Sequence, residues 1–186
     1  FTVISYLAAK TSRLKFGTSI VVLPMHSPFE IAKQVAEVDQ LTQGRFMFGL
    51  GVGWFEEEFE VLNQDFHNRG ARTNEALELF QALWGPDPVT FEGQYYNVEN
   101  ACFGPKPVQQ PGPPIWVAGN SEPALKCAAR YANTWHPVRP SFSQLEQATQ
   151  KLASYLDTES RHAKSIEIAI KLPLVVEDTS SDPEFP

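Results

Sequence analysis

Three short stretches place small or hydroxylated residues at the ends of apolar runs, where a chain can bring its backbone against a ligand. "GLGVGW" follows the apolar "RFMF" and sets glycines at 49, 51 and 53, ahead of Trp54. Glycine weakens a strand unless the backbone must be approached closely or turned sharply. Gly51, Val52 and Gly53 therefore read either as a wall for a flat ring or as a tight turn. A dinucleotide fingerprint needs G-x-G-x-x-G, and its third glycine falls on Trp54, so that chemistry is set aside. "WVAGNSEPALKCAARY" ends an apolar run at Ala118-Gly119, turns through Asn120-Ser121 and enters a helix at once. The free N–H groups and positive dipole end of such a helix suit an anion, best a phosphate. The other reading is that Ser121 caps its own helix.

"GTSIVVLP" supplies Thr18 and Ser19 in otherwise apolar surroundings, as site residues or as strand positions packed beside a helix. The four histidines, His26, His67, His136 and His162, are scattered, with no nucleophile elbow and no metal-ligand spacing. His26 and His136 each follow a predicted strand, which makes them candidate acid/base groups as well as candidate packing residues. Arg69, Arg72 and Glu75 in "FHNRGARTNE" could clamp an anion. A structural ion pair with acids such as Glu56 to Glu58 is the expected use.

The elements that must position these residues follow from periodicity. "FTVISYLAAKTS" reads as a helix, residues 14–23 as a buried strand ended by Pro24, and "SPFEIAKQVAEVDQLTQG" as a helix with Ser27 as cap, Pro28 at its first position and Gly44 as its stop. Its apolar positions are Ile31, Val35, Val38 and Leu41. A second strand, "RFMFGLGVG", precedes the helices "WFEEEFEVLNQ" and "GARTNEALELFQALW". A Pro- and Gly-rich excursion follows, with a short hairpin in "VTFEGQYYNV"; its length points to function, for instance as a cover, or to a self-packed segment. Alternation resumes with strand "IWVAG", the helix after Ser121, strand "ANTWHPV", helix "SFSQLEQATQKLASYLDTESRHA" and strand "IEIAIKLPLVVE". Strands separated by helices imply a parallel sheet, either an open doubly wound sheet or a (β/α)8 barrel.

The 186 residues, 42% hydrophobic and 12% aromatic, suit one domain over residues 1–186, with residues 178–186 as a disordered tail. Fifteen Lys+Arg against 22 Asp+Glu, a net charge of −7, argue against nucleic acid or anionic lipid as partners. Two cysteines without CxxC spacing suggest neither a disulfide framework nor a metal site, and a reducing cytoplasm is the expected location. No apolar run approaches the roughly 20 residues of a membrane span.

Taken together, "TSRLKFGTSIVVLP", "IAKQVAEVDQLTQGRFMFGLGVGW", "RGARTNEALELFQALW", "FEGQYYNV", "PKPVQQPGPPIWVAGNS" and "ANTWHP" resemble the luciferase-like monooxygenase family of flavin and deazaflavin (F420) enzymes, in family order and over nearly the whole chain. The resemblance implies an α/β fold, a partial (β/α)8 TIM barrel holding about strands three to seven, with the excursion between its helix 4 and strand 5. It implies that a ring lies at the C-terminal end of the strands against Gly51, Val52 and Gly53. A non-proline cis peptide would fall near Ser19-Ile20, so Thr18, Ser19 and Ile20 join the cofactor-binding set. Ala118, Gly119, Asn120 and Ser121 match the family's phosphate-binding turn. Trp54 stands where some F420-dependent dehydrogenases carry a catalytic acid, and the candidates for catalysis are His26, Trp54 and His136. The implied activity is hydride transfer from reduced F420, or dioxygen activation by reduced FMN, on a small organic substrate in a homo-oligomer. F420 is the expected cofactor and FMN the alternative. Another class of function is a non-catalytic flavin-binding or partner subunit of the same fold. A flavodoxin-like carrier is disfavoured, because "GTSIVVLP" offers too few hydroxyls and amides for an FMN phosphate loop.

Overall fold

The computed structural model describes residues 1–171. Helix α1 (Thr2–Lys10) leads into two short strands, β1 (Phe16–Gly17) and β2 (Val21–Val22), and a 3-10 turn over Leu23–Met25. Helix α2 (Pro28–Thr42), strand β3 (Phe46–Gly51), and helices α3 (Glu56–Val61) and α4 (Arg69–Trp84) follow. A hairpin, β4 (Val89–Glu92) and β5 (Asn97–Ala101), precedes β6 (Ile115–Ala118), α5 (Glu122–Tyr131), β7 (Thr134–His136), α6 (Phe142–Thr158) and β8 (Glu167–Ile168).

The main sheet runs β1-β3-β6-β7-β8, with β2 also on β3, and every pairing in it is parallel. Its strand order follows the chain without reversal. A doubly wound sheet reverses at a switch point, so this winding is that of a wall built one strand at a time. Phe46, Phe48 and Leu50 of β3 are completely buried, and the Phe48 ring packs on Phe80 of α4 at 6.0 Å. Helix α2 buries Ile31, Val35 and Val38 at helical spacing, whereas Leu41 is exposed. It stops in a left-handed turn that begins one residue before Gly44, at Gln43 (φ 55°), and the Gly44 N–H donates to the Asp39 carbonyl at 3.0 Å. A full capping box starts α6: the Ser141 hydroxyl accepts from the Gln144 N–H, and the Gln144 side chain accepts from the Ser141 N–H.

The strand expected over residues 14–23 is split. Thr18, Ser19 and Ile20 leave the ladder, and the Ser19–Ile20 peptide is cis. The Thr18 hydroxyl takes over the ladder's role, accepting from the Gly49 N–H at 2.9 Å and donating to the Gly49 carbonyl at 2.7 Å. The helix expected from Trp54 begins only at Glu56, and α6 ends at Thr158 rather than running on to Ala163. The last expected strand is present at Glu167–Ile168; its continuation beyond residue 171, and the expected tail, lie outside the described residues.

The excursion is anchored at two places. Glu75 of α4 accepts from the backbone N–H groups of Gln94, Tyr95 and Tyr96 in the hairpin turn, and the Tyr96 ring meets Phe29 edge-on at 6.4 Å. Farther on, the Gln109 N–H and side-chain amide both donate to buried Asp39, and that amide also donates to the Phe46 carbonyl. Phe46 begins β3, so this half of the excursion closes the N-terminal end of the sheet and does not cover the C-terminal edge. Only the hairpin turn, beside the start of α2, reaches the other end. No helix among the described residues is long and apolar enough to cross a membrane.

Candidate active site

Residues in register on neighbouring parallel strands share a face of the sheet. Leu50, Val117 and Trp135 form one such row; all three are buried, and it faces the helices. The opposite face carries Gly49, Trp116 and Thr134 in one row, and Ala118 beside His136 in the next. Gly51 completes that second row, since a Cβ built on it would lie 3.9 Å from the Ala118 Cβ. The second row of this inner face thus carries small residues toward β3 and an imidazole toward β8, with the Trp116 ring in the row before it.

His136 is 7% exposed and held at both ring nitrogens. Nδ1 is 2.6 Å from the Ala169 carbonyl oxygen, and Nε2 is 3.0 Å from the Ser19 hydroxyl. A carbonyl oxygen only accepts, so Nδ1 carries a proton. The neutral ring then accepts at Nε2 from the Ser19 O–H. The Trp116 ring lies 5.9 Å from the imidazole, and the His136 backbone carbonyl accepts the Gly119 N–H at 3.2 Å. The bond to Ser19 spans 117 positions of sequence, which is why no motif announces it.

The three glycines have partners inside the chain. A Cβ at Gly49 would meet the Thr18 carbonyl oxygen at 1.9 Å, and one at Gly51 would meet the Ile20 side chain at 2.9 Å. Gly53 adopts φ +78° and packs where a Cβ would touch Val22 at 2.7 Å. The surface offered above Gly49 and Gly51 is therefore the side chain of Ile20. Val52 is half-buried. Trp54 is 84% exposed and stacks on Phe55 at 5.4 Å. His26 is exposed at the end of the 3-10 turn, where its N–H donates to the Leu23 carbonyl. Neither Trp54 nor His26 is hydrogen-bonded into the Ser19–His136 arrangement.

At the turn into α5, Gly119 has φ +130°, and a Cβ there would press the Ala124 methyl at 2.8 Å. The Asn120 amide is paired reciprocally with Val138, donating to its carbonyl at 2.7 Å and accepting from its N–H at 2.8 Å. Trp135 donates from its indole to the Gly119 carbonyl at 2.8 Å. Ser121 stands at the N-cap, but its side chain makes no capping bond, so the N–H groups of Glu122 and Ala124 are left uncapped, while Pro123 between them has none to offer. Glu122 in that turn is paired with Lys126 at 2.7 Å, and this hydrogen bond holds its carboxyl below the usual carboxylate range. A cavity of about 190 Å³ beside the turn is lined by Asn120, Glu122, Trp135, Gln144 and Lys151.

The expected pairing of Arg69 and Arg72 with Glu56 to Glu58 is not made. Arg69 covers the Phe66 ring at 3.6 Å and donates to the carbonyls of Phe66 and Gly53, while Arg72 donates to the Gln64 side chain and to the carbonyls of Pro24 and Asp65. Guanidinium forks thus serve as braces between loops, a use that sequence spacing does not distinguish from an ion pair. Among the described residues no group of three or more His, Cys, Asp or Glu could hold a metal.

The family model for luciferase-like monooxygenases matches residues 1–184. The chain belongs to the luciferase-like monooxygenase family. This luciferase-like chain is 28% identical over 188 residues to the FMNH2-dependent dimethylsulfone monooxygenase of Pseudomonas putida, covering 97% of this chain and 50% of that protein. It is 30% identical over 183 residues to the same-named enzyme of Pseudomonas fluorescens (strain Pf0-1), covering 95% and 48%. Among solved structures it matches the coenzyme F420-dependent tetrahydromethanopterin reductase of Methanopyrus kandleri with a TM-score of 0.81 at 21% identity, covering 91% of this chain and 52% of that one. A monooxygenase from Streptomyces bottropensis gives 0.79 at 23%, again over 91% and 52%. At such identities the likeness establishes the fold, an α/β arrangement with a mostly parallel sheet. The luciferase-like chain spans about half the length of the curated relatives it matches.

Proposed function

We propose that the protein is an oxidoreductase that uses F420, or alternatively reduced FMN, on a small organic substrate, its sheet forming about strands three to seven of a (β/α)8 barrel. The observation that carries this reading is one of placement. The Ser19–His136 pair, the small inner-face residue Ala118 and the uncapped first turn of α5 all stand at the C-terminal edge of one parallel sheet, tied together by the Gly119 N–H on the His136 carbonyl. That edge is where α/β enzymes of this winding place their sites.

These residues fit a flavin-type group. Ile20 and Ala118 offer an apolar surface to a flat ring, and the backbone from Gly119 to Ser121 leads into a helix end suited to a phosphate. The Asn120 side chain, already paired with Val138, contributes by fixing that backbone. When bound, F420 supplies a hydride and reduced FMN supplies the electrons that activate dioxygen. The chain's own contribution is to orient the group and to hold a proton at Ser19 or His136. Relatives whose names specify FMNH2 and neighbours whose names specify F420 support a cofactor of this type.

Fluorescence titration of the chain with F420 and with FMN tests the reading. Saturable binding of one of them is expected, and Ala118→Phe, which fills the inner face beside His136, is expected to weaken it by at least about tenfold. A folded chain that binds neither sinks the proposal.

A further inference from the structure

We propose that Ser19 and His136 form a two-residue proton relay, in which the hydroxyl of exposed Ser19 exchanges a proton with water or a ligand at the inner face and the buried imidazole stores it. The relay rests on the reading of the inner face as the site. Its direction follows from the fixed tautomer. With Nδ1–H donated to the Ala169 carbonyl at 2.6 Å, the free lone pair of the neutral ring is on Nε2, 3.0 Å from the Ser19 oxygen. His136 itself is sealed off by burial and by the Trp116 ring at 5.9 Å, while Ser19 is exposed. Ser19 is therefore the imidazole's contact with the open side of the sheet. The neighbouring Thr18 hydroxyl takes no part, because Gly49 engages it as donor and as acceptor.

In the forward direction an acidic X–H at the inner face gives its proton to the Ser19 oxygen as the Ser19 O–H proton passes to Nε2. One X–H and one O–H bond break, one O–H and one N–H bond form, and no electrons are transferred. The reverse step delivers a proton to a basic atom in the same place. In a hydrolase triad a carboxylate on Nδ1 fixes the tautomer and also balances the imidazolium charge. Here a neutral carbonyl fixes the tautomer only. Among the described residues no carboxylate forms an ion pair with His136.

Imidazole nitrogen NMR on the 15N-labelled 186-residue chain tests the relay, with the His136 signals assigned by their loss in His136→Asn. The neutral ring is expected in the Nδ1-protonated form. Protonation at Nε2 is expected to exchange at least about tenfold more slowly in Ser19→Ala and to recover in Ser19→Thr, with the backbone amide spectrum unchanged. An Nε2-protonated neutral ring, or the same exchange rate in Ser19→Ala as in the unmodified chain, overturns the relay. The measurement needs no cofactor, so it is decided separately from the F420 and FMN titrations, whose failure would instead remove the cofactor reading.

Discussion

A methyl group added at Gly49 would meet the Thr18 carbonyl oxygen at 1.9 Å, and the hydroxyl of the same threonine holds both backbone groups of Gly49. Backbone cannot retreat as a flexible side chain can, so Gly49→Ala is expected to destabilise the fold by about 3 kcal/mol or more in urea unfolding. Gly70 in α4 is the contrast: nothing lies within 4 Å of its added Cβ, and Gly70→Ala is expected to stabilise by about 0.5 kcal/mol. Spacing in "GLGVGW" showed that something comes close to the backbone but not what; the partners are Thr18, Ile20 and Val22, some thirty positions earlier in the chain. The two thiols differ in the same local way. Burial pushes Cys127 up to about 12, whereas Cys102 is exposed. Iodoacetamide at pH 8 is expected to add one label to the native chain and two after denaturation, read by mass. Because the folded thiol ionises above its ordinary value of 9.0, Cys127 lowers stability only as pH rises from there toward 12.

At the scale of elements, the hairpin turn depends on one carboxylate. Glu75 receives three backbone N–H groups, and a hydrogen bond to a charged acceptor contributes about 1.5–3 kcal/mol. Glu75→Ala is expected to speed amide hydrogen exchange at Gln94, Tyr95 and Tyr96 at least about tenfold while leaving β3 protected. Helices α2 and α4 and strands β3 and β6 were legible because each carries a full period of apolar residues between recognisable ends. The split between β1 and β2 was not. Residues 14–23 have the composition of a continuous strand, and what interrupts them is a side-chain hydroxyl standing in for ladder bonds with a partner on another strand. Likewise, the excursion's Pro and Gly content marked it as irregular, but Gln109 meeting Asp39 across 70 positions gave no local signal of which end it would close.

For the whole molecule, alternation of strands and helices pointed to a parallel sheet, while the choice between an open and a singly wound sheet needed the order of pairing. The candidate site was legible in its pieces, since Ser19, Ala118, Gly119 and His136 all stand at strand ends. Their meeting was not, because it depends on the register of four strands. A bound cofactor stabilises only the folded chain, so F420 or FMN at one hundred times its dissociation constant is expected to add about 2.7 kcal/mol. For a chain of this size that raises the melting temperature by roughly 5–10 °C in calorimetry. The strand order has a kinetic consequence as well. Since each new parallel strand pairs with the one before it, a segment leaving the ribosome finds its template already made, and assembly can keep pace with synthesis at about 5–20 residues per second. Among the described strands the sheet can grow the way it is read out, each parallel pairing made with a strand already synthesised.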